Sequence, residues 1–148
     1  MKTHAFTLVE LLISLSILII LLWLVPPAIV DFGETYQERV FIKQFENDLK
    51  LVQTNAQATG KDSSLKINQD RQDTYTLTFS EDEKIKVIKQ LPKSIHYLGE
   101  FNIGFKGETG NITTFNQFSN ITFKGKKYSY IFTFQLGGGR YYVEVFKN

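Results

Sequence analysis

The sequence predicts an α+β fold in which a long N-terminal helix, half transmembrane and half amphipathic, packs on an antiparallel β-sheet. Three observations carry this prediction. Residues 6–30 are almost entirely apolar, residues 31–60 repeat apolar side chains at steps of three and four, and residues 61–148 alternate apolar and polar side chains. The length of 148 residues allows one globular domain with an appended segment.

Composition and charge exclude several functional classes. The chain has no cysteine, which excludes disulfides, thiolate metal sites and a cysteine nucleophile. Its 2 histidines lie far apart in sequence, which excludes a multi-histidine metal site and argues against a histidine-dependent triad. The formal net charge of +2 excludes a strongly basic nucleic-acid coat. We expect a non-enzymatic protein with no cofactor and no bound metal.

The apolar run at residues 6–30 contains a single charged residue, Glu10. As a helix the run would be about 37 Å long, and a bilayer core needs about 20 apolar residues. A secretory signal peptide, a plain membrane anchor and a buried core helix are the ordinary interpretations. The run ends in residues 23–27, WLVPP, a poor signal-peptidase site, and it is too long and too apolar for a core helix here.

Glu10 distinguishes between the membrane interpretations. A carboxylate inside a membrane span is costly, so a plain anchor gives no reason for its presence. Near the end of the helix, Glu10 either faces water at the level of the lipid headgroups or has a functional partner. Local physical chemistry leaves both of these interpretations open.

The N-terminal residues 5–13, AFTLVELLI, resemble the N-terminus of type IV pilins and pseudopilins. The resemblance implies that a prepilin peptidase cleaves between Ala5 and Phe6, that Phe6 is N-methylated, and that Glu10 is the glutamate used in assembly. Ala5 departs from the usual glycine, and the leader is very short. Pro27 stands where pilins often have a proline.

The resemblance also implies an organisation and a set of partners. Residues 1–5 are the leader, and residues 6–30 are the transmembrane and assembly helix. Cleavage leaves a free amine on Phe6, and Glu10 can pair with that amine in a neighbouring subunit, which offsets the cost of burying both charges. The implied partners are other major and minor pilins of one filament, the prepilin peptidase and the membrane, crossed once. The implied location is the cell membrane, then the cell surface.

Within that family the chain most resembles the competence minor pseudopilins of Gram-positive bacteria. This closer resemblance implies a competence type IV pilus that supports DNA uptake in transformation. A minor pseudopilin of a type II secretion system is an alternative, because its N-terminus looks the same. The residues that carry the closer resemblance are Pro26-Pro27, residues 45–49 (FENDL), residues 53–56 (QTNA) and residues 136–144 (LGGGRYYVE).

Residues 31–60 are predicted to form an amphipathic helix that continues into the globular domain. Gly60 is the predicted end of this helix, and Pro26-Pro27 is a predicted bend because proline has no N–H to donate. The apolar stripe is better explained as a core-facing surface than as a ligand groove. Its members are Phe32, Tyr36, Val40, Phe41, Phe45, Leu49, Val52 and Ala56.

Residues 61–148 are predicted to form the antiparallel sheet. Residues 128–136 and 140–146 flank Gly137-Gly138-Gly139 and form the clearest hairpin. Pro92 is expected to end the strand before it. Further strands are predicted around Leu65 and Ile67, Tyr75 to Phe79, Ile85 and Val87, Ile95 and Tyr97, and Phe101 to Phe105, with a weaker segment from Ile112 to Phe123.

Basic residues are concentrated in the predicted sheet. Arg140 and the nearby lysines are candidates for contact with a DNA phosphate backbone, which would make the chain a membrane-stalked DNA-binding module. A solvated lysine surface is the alternative, and we favour it because the sequence shows no clearly basic face. The lysines form two runs: Lys84, Lys86, Lys89 and Lys93, then Lys124, Lys126 and Lys127.

Overall fold

The computed structural model describes residues 7–23, 28–67, 73–79, 85–97, 101–114, 120–135 and 138–148. The chain divides into two compact units, Met1–Gly33 and Glu34–Asn148. The predicted proline bend at Pro26-Pro27 lies outside the described residues.

The first unit contains the helix α1, Leu8–Trp23. Every described large apolar side chain of α1 is half exposed or more, from 50% at Ile19 to 89% at Trp23. Within the described residues, neither helix is both long enough and apolar enough to cross a membrane. The predicted transmembrane segment, residues 6–30, extends beyond the described part of α1 and stays a prediction.

The helix α2 spans Ala28–Thr59, and the second unit holds its residues from Glu34 onward. It ends where the sequence predicts. Gly60 has a φ of 68°, in the left-handed region that glycine tolerates best, and its N–H donates a 3.0 Å hydrogen bond to the Ala56 carbonyl.

The apolar stripe of α2 is confirmed in part. Phe41, Phe45 and the stripe members after them are buried, whereas Tyr36 is 63% and Val40 46% exposed. At 100° per residue, Tyr36 and Val40 fall on the opposite side of the helix from Phe45. The position that completes the buried face is Glu38, which is 0% exposed. The side chain of Phe32 lies outside the described residues.

The second unit contains nine described strands in two antiparallel sheets. One sheet has the order β3-β2-β1-β5-β6 and the other has the order β4-β7-β8-β9. The strands are β1 Ser63–Ile67, β2 Thr74–Phe79, β3 Ile85–Gln90, β4 His96–Tyr97, β5 Phe101–Phe105, β6 Ile112–Thr114, β7 Asn120–Lys124, β8 Tyr128–Gln135 and β9 Arg140–Lys147.

The predicted α+β class is therefore confirmed, with the strands divided between two sheets rather than joined in one. Pro92 follows the end of β3 at Gln90, as expected, and the chain passes from the first sheet to the second between β3 and β4. The predicted hairpin also forms, because β8 pairs with β9 from Gln135↔Arg140 to Tyr128↔Lys147.

Aromatic side chains fill the space between α2 and the two sheets. Phe45 lies at the centre, and its ring centroid is 5.5 Å from Tyr75, 5.8 Å from Phe101, 4.9 Å from Phe123 and 5.1 Å from Phe132. These partners come from both sheets, and most contacts are edge-to-face, the arrangement that aromatic rings prefer. One side chain of α2 thus packs against both sheets.

Candidate functional site

The start of α1 is closed by a capping box between Thr7 and Glu10. The Thr7 N–H and hydroxyl each donate a 3.0 Å hydrogen bond to Glu10 Oε2, and the Glu10 N–H donates one of 3.4 Å to Thr7 Oγ1. The Leu11 N–H bonds to the Thr7 carbonyl, which makes Thr7 the N-cap. The sequence motif therefore also encodes the helix start.

The two serines of α1 satisfy their hydroxyls within the helix. Ser14 Oγ donates to the Glu10 carbonyl at 2.8 Å, and Ser16 Oγ donates to the Leu12 carbonyl at 2.7 Å. Such bonds to the preceding turn hide polar hydrogens from an apolar environment. After the Glu10 side chain, α1 therefore presents an essentially apolar surface.

The predicted processing residues Ala5 and Phe6 lie outside the described residues, so cleavage and N-methylation stay predictions. Glu10 is the one predicted assembly residue that the structure describes, and it is exposed on α1. The described hydrogen bonds of its carboxylate are those that it accepts from Thr7.

The three lysines of the second basic run lie around the turn between β7 and β8. Lys124 is the last residue of β7 and pairs in register with His96 of β4. Lys126 Nζ forms a 3.1 Å ion pair with Glu34 Oε2, and Lys127 Nζ lies 5.9 Å from the centre of the Tyr128 ring.

Arg140 lies apart from these lysines. It is the first residue of β9 and pairs with Gln135, at the opposite end of β8 from Tyr128. At about 3.3 Å per residue, the length of β8 separates the two ends by about 23 Å. The structure therefore does not bring Arg140 together with Lys124, Lys126 and Lys127.

The first basic run is divided. Lys84 lies outside the described residues, and Lys86 is exposed on β3. Lys89 Nζ binds both carboxylate oxygens of Asp48, at 2.6 Å and 2.8 Å, and so ties β3 to α2. Lys93 lines a hollow of about 360 Å³ together with Lys126. The hollow therefore brings together one lysine from each basic run, Lys93 and Lys126. Its other lining residues are Glu34, Ser94, His96 and Gly125.

Buried Glu38 is a polar contact that the sequence reasoning missed. Its Oε1 accepts a 2.9 Å hydrogen bond from the Lys126 N–H in the β7–β8 turn. Gly125 lies against the same carboxylate, where a side chain would collide with it. The signal was present in the sequence, because Glu38 occupies the same angular position on α2 as the buried apolar stripe.

A second buried polar cluster joins α2 to the five-stranded sheet. Tyr75 Oη donates a 2.6 Å hydrogen bond to Asp48 Oδ2, the carboxylate that also binds Lys89. Burial, reinforced by the Asp48 carboxylate, raises the pKa of the Tyr75 phenol well above its usual range. Burial and the Glu38 carboxylate likewise raise the pKa of Tyr130. Among the described residues no group of three acidic or histidine side chains is placed to hold a metal ion.

Comparison with known proteins connects only the N-terminus to a family. A search of curated proteins found no match, and neither did a search of solved structures. Residues 1–25 match the family model described as the prokaryotic N-terminal methylation motif. This range contains Ala5, Phe6, Glu10 and the capping box. The chain therefore carries a type IV pilin-like leader, which indicates a pilin-like or pseudopilin protein.

Proposed function

We propose that this chain is a minor pilin of a competence type IV pilus, a structural subunit without enzymatic activity. It enters the membrane as a single-pass precursor and is cleaved between Ala5 and Phe6. It is then methylated on Phe6 and joins the filament through its N-terminal helix. Its partners are the other major and minor pilins of that filament.

One observation carries the proposal: the methylation motif covers a helix whose described apolar side chains are half exposed or more. Such a surface needs lipid or other helices around it. Ser14 and Ser16 satisfy their hydroxyls internally, so Glu10 is the polar side chain of α1 left to bind a neighbour. A carboxylate near the start of an apolar helix fits an amine of a neighbouring subunit.

The competence role rests on a resemblance of the sequence to the competence minor pseudopilin ComGD. In that protein a Leu-Gly-x-Gly-Arg hairpin closes the domain, and residues 136–140 here read LGGGR. The pairing of Gln135 with Arg140 supports this proposal, because it makes Arg140 the first strand residue after the turn between β8 and β9. A type II secretion minor pseudopilin is the alternative.

Intact mass and N-terminal sequencing of the protein extracted from its native membrane test the processing step. A chain that begins at methylated Phe6 is the expected result. The matched control is extraction from cells without prepilin peptidase, where the chain should begin at Met1. A chain that begins at Met1 in both cells would overturn the proposal and leave a plain anchored domain.

Deletion of the gene that encodes this protein then distinguishes a competence pilus from a type II secretion system. Loss of transformation with normal protein secretion is expected for a competence pilus. Loss of secretion with normal transformation would assign the chain to a type II secretion system instead.

Direct DNA binding is a second candidate, and the placement of Lys93 beside Lys126 favours it. Glu34 argues against DNA binding, because its carboxylate partly neutralises Lys126.

The test of DNA binding is retention of a DNA duplex by the full chain in detergent as the salt concentration rises. Binding that weakens steeply with salt and is lost when Lys93, Lys124, Lys126 and Lys127 are changed to Gln, but not with Lys50→Gln on α2, would support DNA binding. Absent or salt-independent retention would remove it.

A further inference from the structure

The last strand, β9, is an edge strand with an exposed surface. Its described neighbour in the four-stranded sheet is β8. Tyr142 is 46%, Val145 57% and Phe146 50% exposed, which is unusual for large apolar side chains on a strand of eight residues. A long exposed edge with apolar side chains is a template for pairing with another strand.

Two of the three charged residues of β9, Arg140 and Glu144, lie on the outer face of its sheet, whereas Lys147 alternates onto the other face. Phe132 and Phe134 of β8 are buried, and they pair with Val143 and Tyr141. Since side chains alternate along a strand, Arg140, Tyr142 and Glu144 point to the opposite, outer face.

Neither outer charge is opposed by a charge on β8. The β8 residue opposite Arg140 is Gln135, and the one opposite Glu144 is Ile131. The outer face of β9 thus presents one positive and one negative side chain, with Tyr142 midway between them.

The order of Arg140, Tyr142 and Glu144 along β9 is complementary to the same order in a second, antiparallel copy. When two copies of β9 pair antiparallel about a two-fold axis through Tyr142, Arg140 of each copy lies opposite Glu144 of the other. The two Tyr142 rings then face each other. Registers shifted by one residue are excluded, because they would pair side chains from opposite faces. A register centred on Glu144 would place two carboxylates together.

We propose that β9 is the interface for a second copy of this chain, and that it joins two four-stranded sheets into one eight-stranded sheet. The occupant is a second copy because Arg140 and Glu144, the two outer charges of β9, pair with each other in this register. The proposed dimer goes beyond the proposed filament role and does not rest on it. An isologous contact joins two copies and then closes, so it does not by itself build a filament.

A cysteine placed on the two-fold axis tests the register. Directly opposed residues of antiparallel strands have Cα atoms about 4.5–5.5 Å apart, within the span of a disulfide. The chain has no cysteine of its own. The full chain with Tyr142→Cys, in nonionic detergent under mild oxidation, should therefore form a covalent dimer. The matched control is Ile88→Cys, on the edge strand β3, which is 59% exposed and should stay monomeric.

Charge exchange tests the chemistry of the same contact. Sedimentation of the full chain should show a dimer whose dissociation constant rises about tenfold with Arg140→Glu or with Glu144→Arg. The double variant with both exchanges should restore dimerisation, which a merely misfolded protein would not do. Equal cross-linking of the two cysteine variants, a monomer at all concentrations, or a dimer unaffected by Arg140→Glu would each overturn the proposal.

Discussion

At the scale of single residues, Glu10 combines two tasks. Its carboxylate accepts both hydrogen bonds from Thr7 and so closes the first turn of α1. In the proposed filament the same carboxylate also meets the Phe6 amine of a neighbour. A carboxylate has enough lone pairs for both. The roles differ in what they require, because capping needs an acceptor and pairing with an amine needs a charge.

Glu10→Gln separates these two roles. The amide oxygen still accepts from Thr7, but the negative charge is gone, so we expect membrane insertion to stay normal while filament incorporation is lost. Sheared filaments analysed by immunoblot measure incorporation, and membrane fractionation measures insertion. Ser14→Ala is the matched control within α1 and should assemble. Normal incorporation of Glu10→Gln would rule out the assembly role given to this residue.

Gly125→Ala tests the contact of the β7–β8 turn with α2. The added methyl group would collide with the buried Glu38 carboxylate, so we expect a loss of about 1–3 kcal/mol in the free energy of unfolding. Urea denaturation of the full chain in detergent measures the loss. Gly138→Ala is the control, because the nearest atom to its new methyl group, Arg140 Cγ, is 3.8 Å away. Equal stability of the two variants would contradict the prediction, because it would show that the β7–β8 turn can move to accommodate the methyl group without a cost in free energy.

At the scale of elements, α2 fixes two loops as well as two sheets. Gln53 Nε2 donates to the carbonyl of Gly110, at 3.1 Å, and to that of Gly139, at 3.4 Å. Both glycines have positive φ angles, 66° and 62°. One helix side chain therefore holds the loop before β6 and the turn before β9.

Gln53→Ala should loosen both of these segments together. Removing the amide leaves two part-buried carbonyls without this donor and should cost about 1 kcal/mol of stability. Hydrogen exchange should become faster in residues 106–111 and at the start of β9. Gln57→Ala is the control, since among the described residues Gln57 donates to the Thr109 carbonyl, and its loss should affect only the first segment. Unchanged exchange near Gly139 would contradict the shared role of Gln53.

The elements show how far the sequence predicts this molecule. The end of α2 at Gly60 and the last hairpin could be predicted, because a left-handed glycine and a short turn are local features. The division into two sheets could not, since it depends on which strands meet across the core. Tyr36 and Val40 were assigned to the core stripe because they follow the pattern of apolar residues three and four positions apart. Their angle around the helix axis, however, places them on the exposed side of α2.

In the candidate site too, local features could be predicted from the sequence and tertiary contacts could not. The N-terminal motif is contiguous, so its resemblance to pilins could be recognised, and the family comparison bears it out. The basic residues were grouped by sequence distance alone. Arg140 proved to lie at the other end of β8 from the lysines, and Lys89 proved to be bound to Asp48. Such placements depend on strand register and on tertiary contacts.

At the scale of the whole molecule, buried tyrosines determine how stability responds to alkaline pH. Burial is the main cause that raises the pKa of Tyr75, Tyr130 and Tyr141, and nearby carboxylates add to it. In the unfolded chain these phenols ionise near their usual pKa of about 10. The folded state therefore binds more protons than the unfolded state above that pH, and its stability must fall as the pH rises.

We expect the urea midpoint of the full chain to be steady up to about pH 10 and to fall above it. Tyr75→Phe should be less stable at neutral pH, because the hydrogen bond to Asp48 is lost, and its midpoint should fall less steeply. Tyr36→Phe, at a position that is 63% exposed on α2, controls for the loss of one phenol. A midpoint that does not change between pH 8 and pH 11 would contradict the prediction.

The position of Phe45 determines how the second unit comes apart. Its ring touches Tyr75 and Phe101 of one sheet and Phe123 and Phe132 of the other, so neither sheet can leave α2 without exposing the same ring. We therefore expect the two sheets to unfold together in one cooperative transition, without a stable species in which only one sheet is folded.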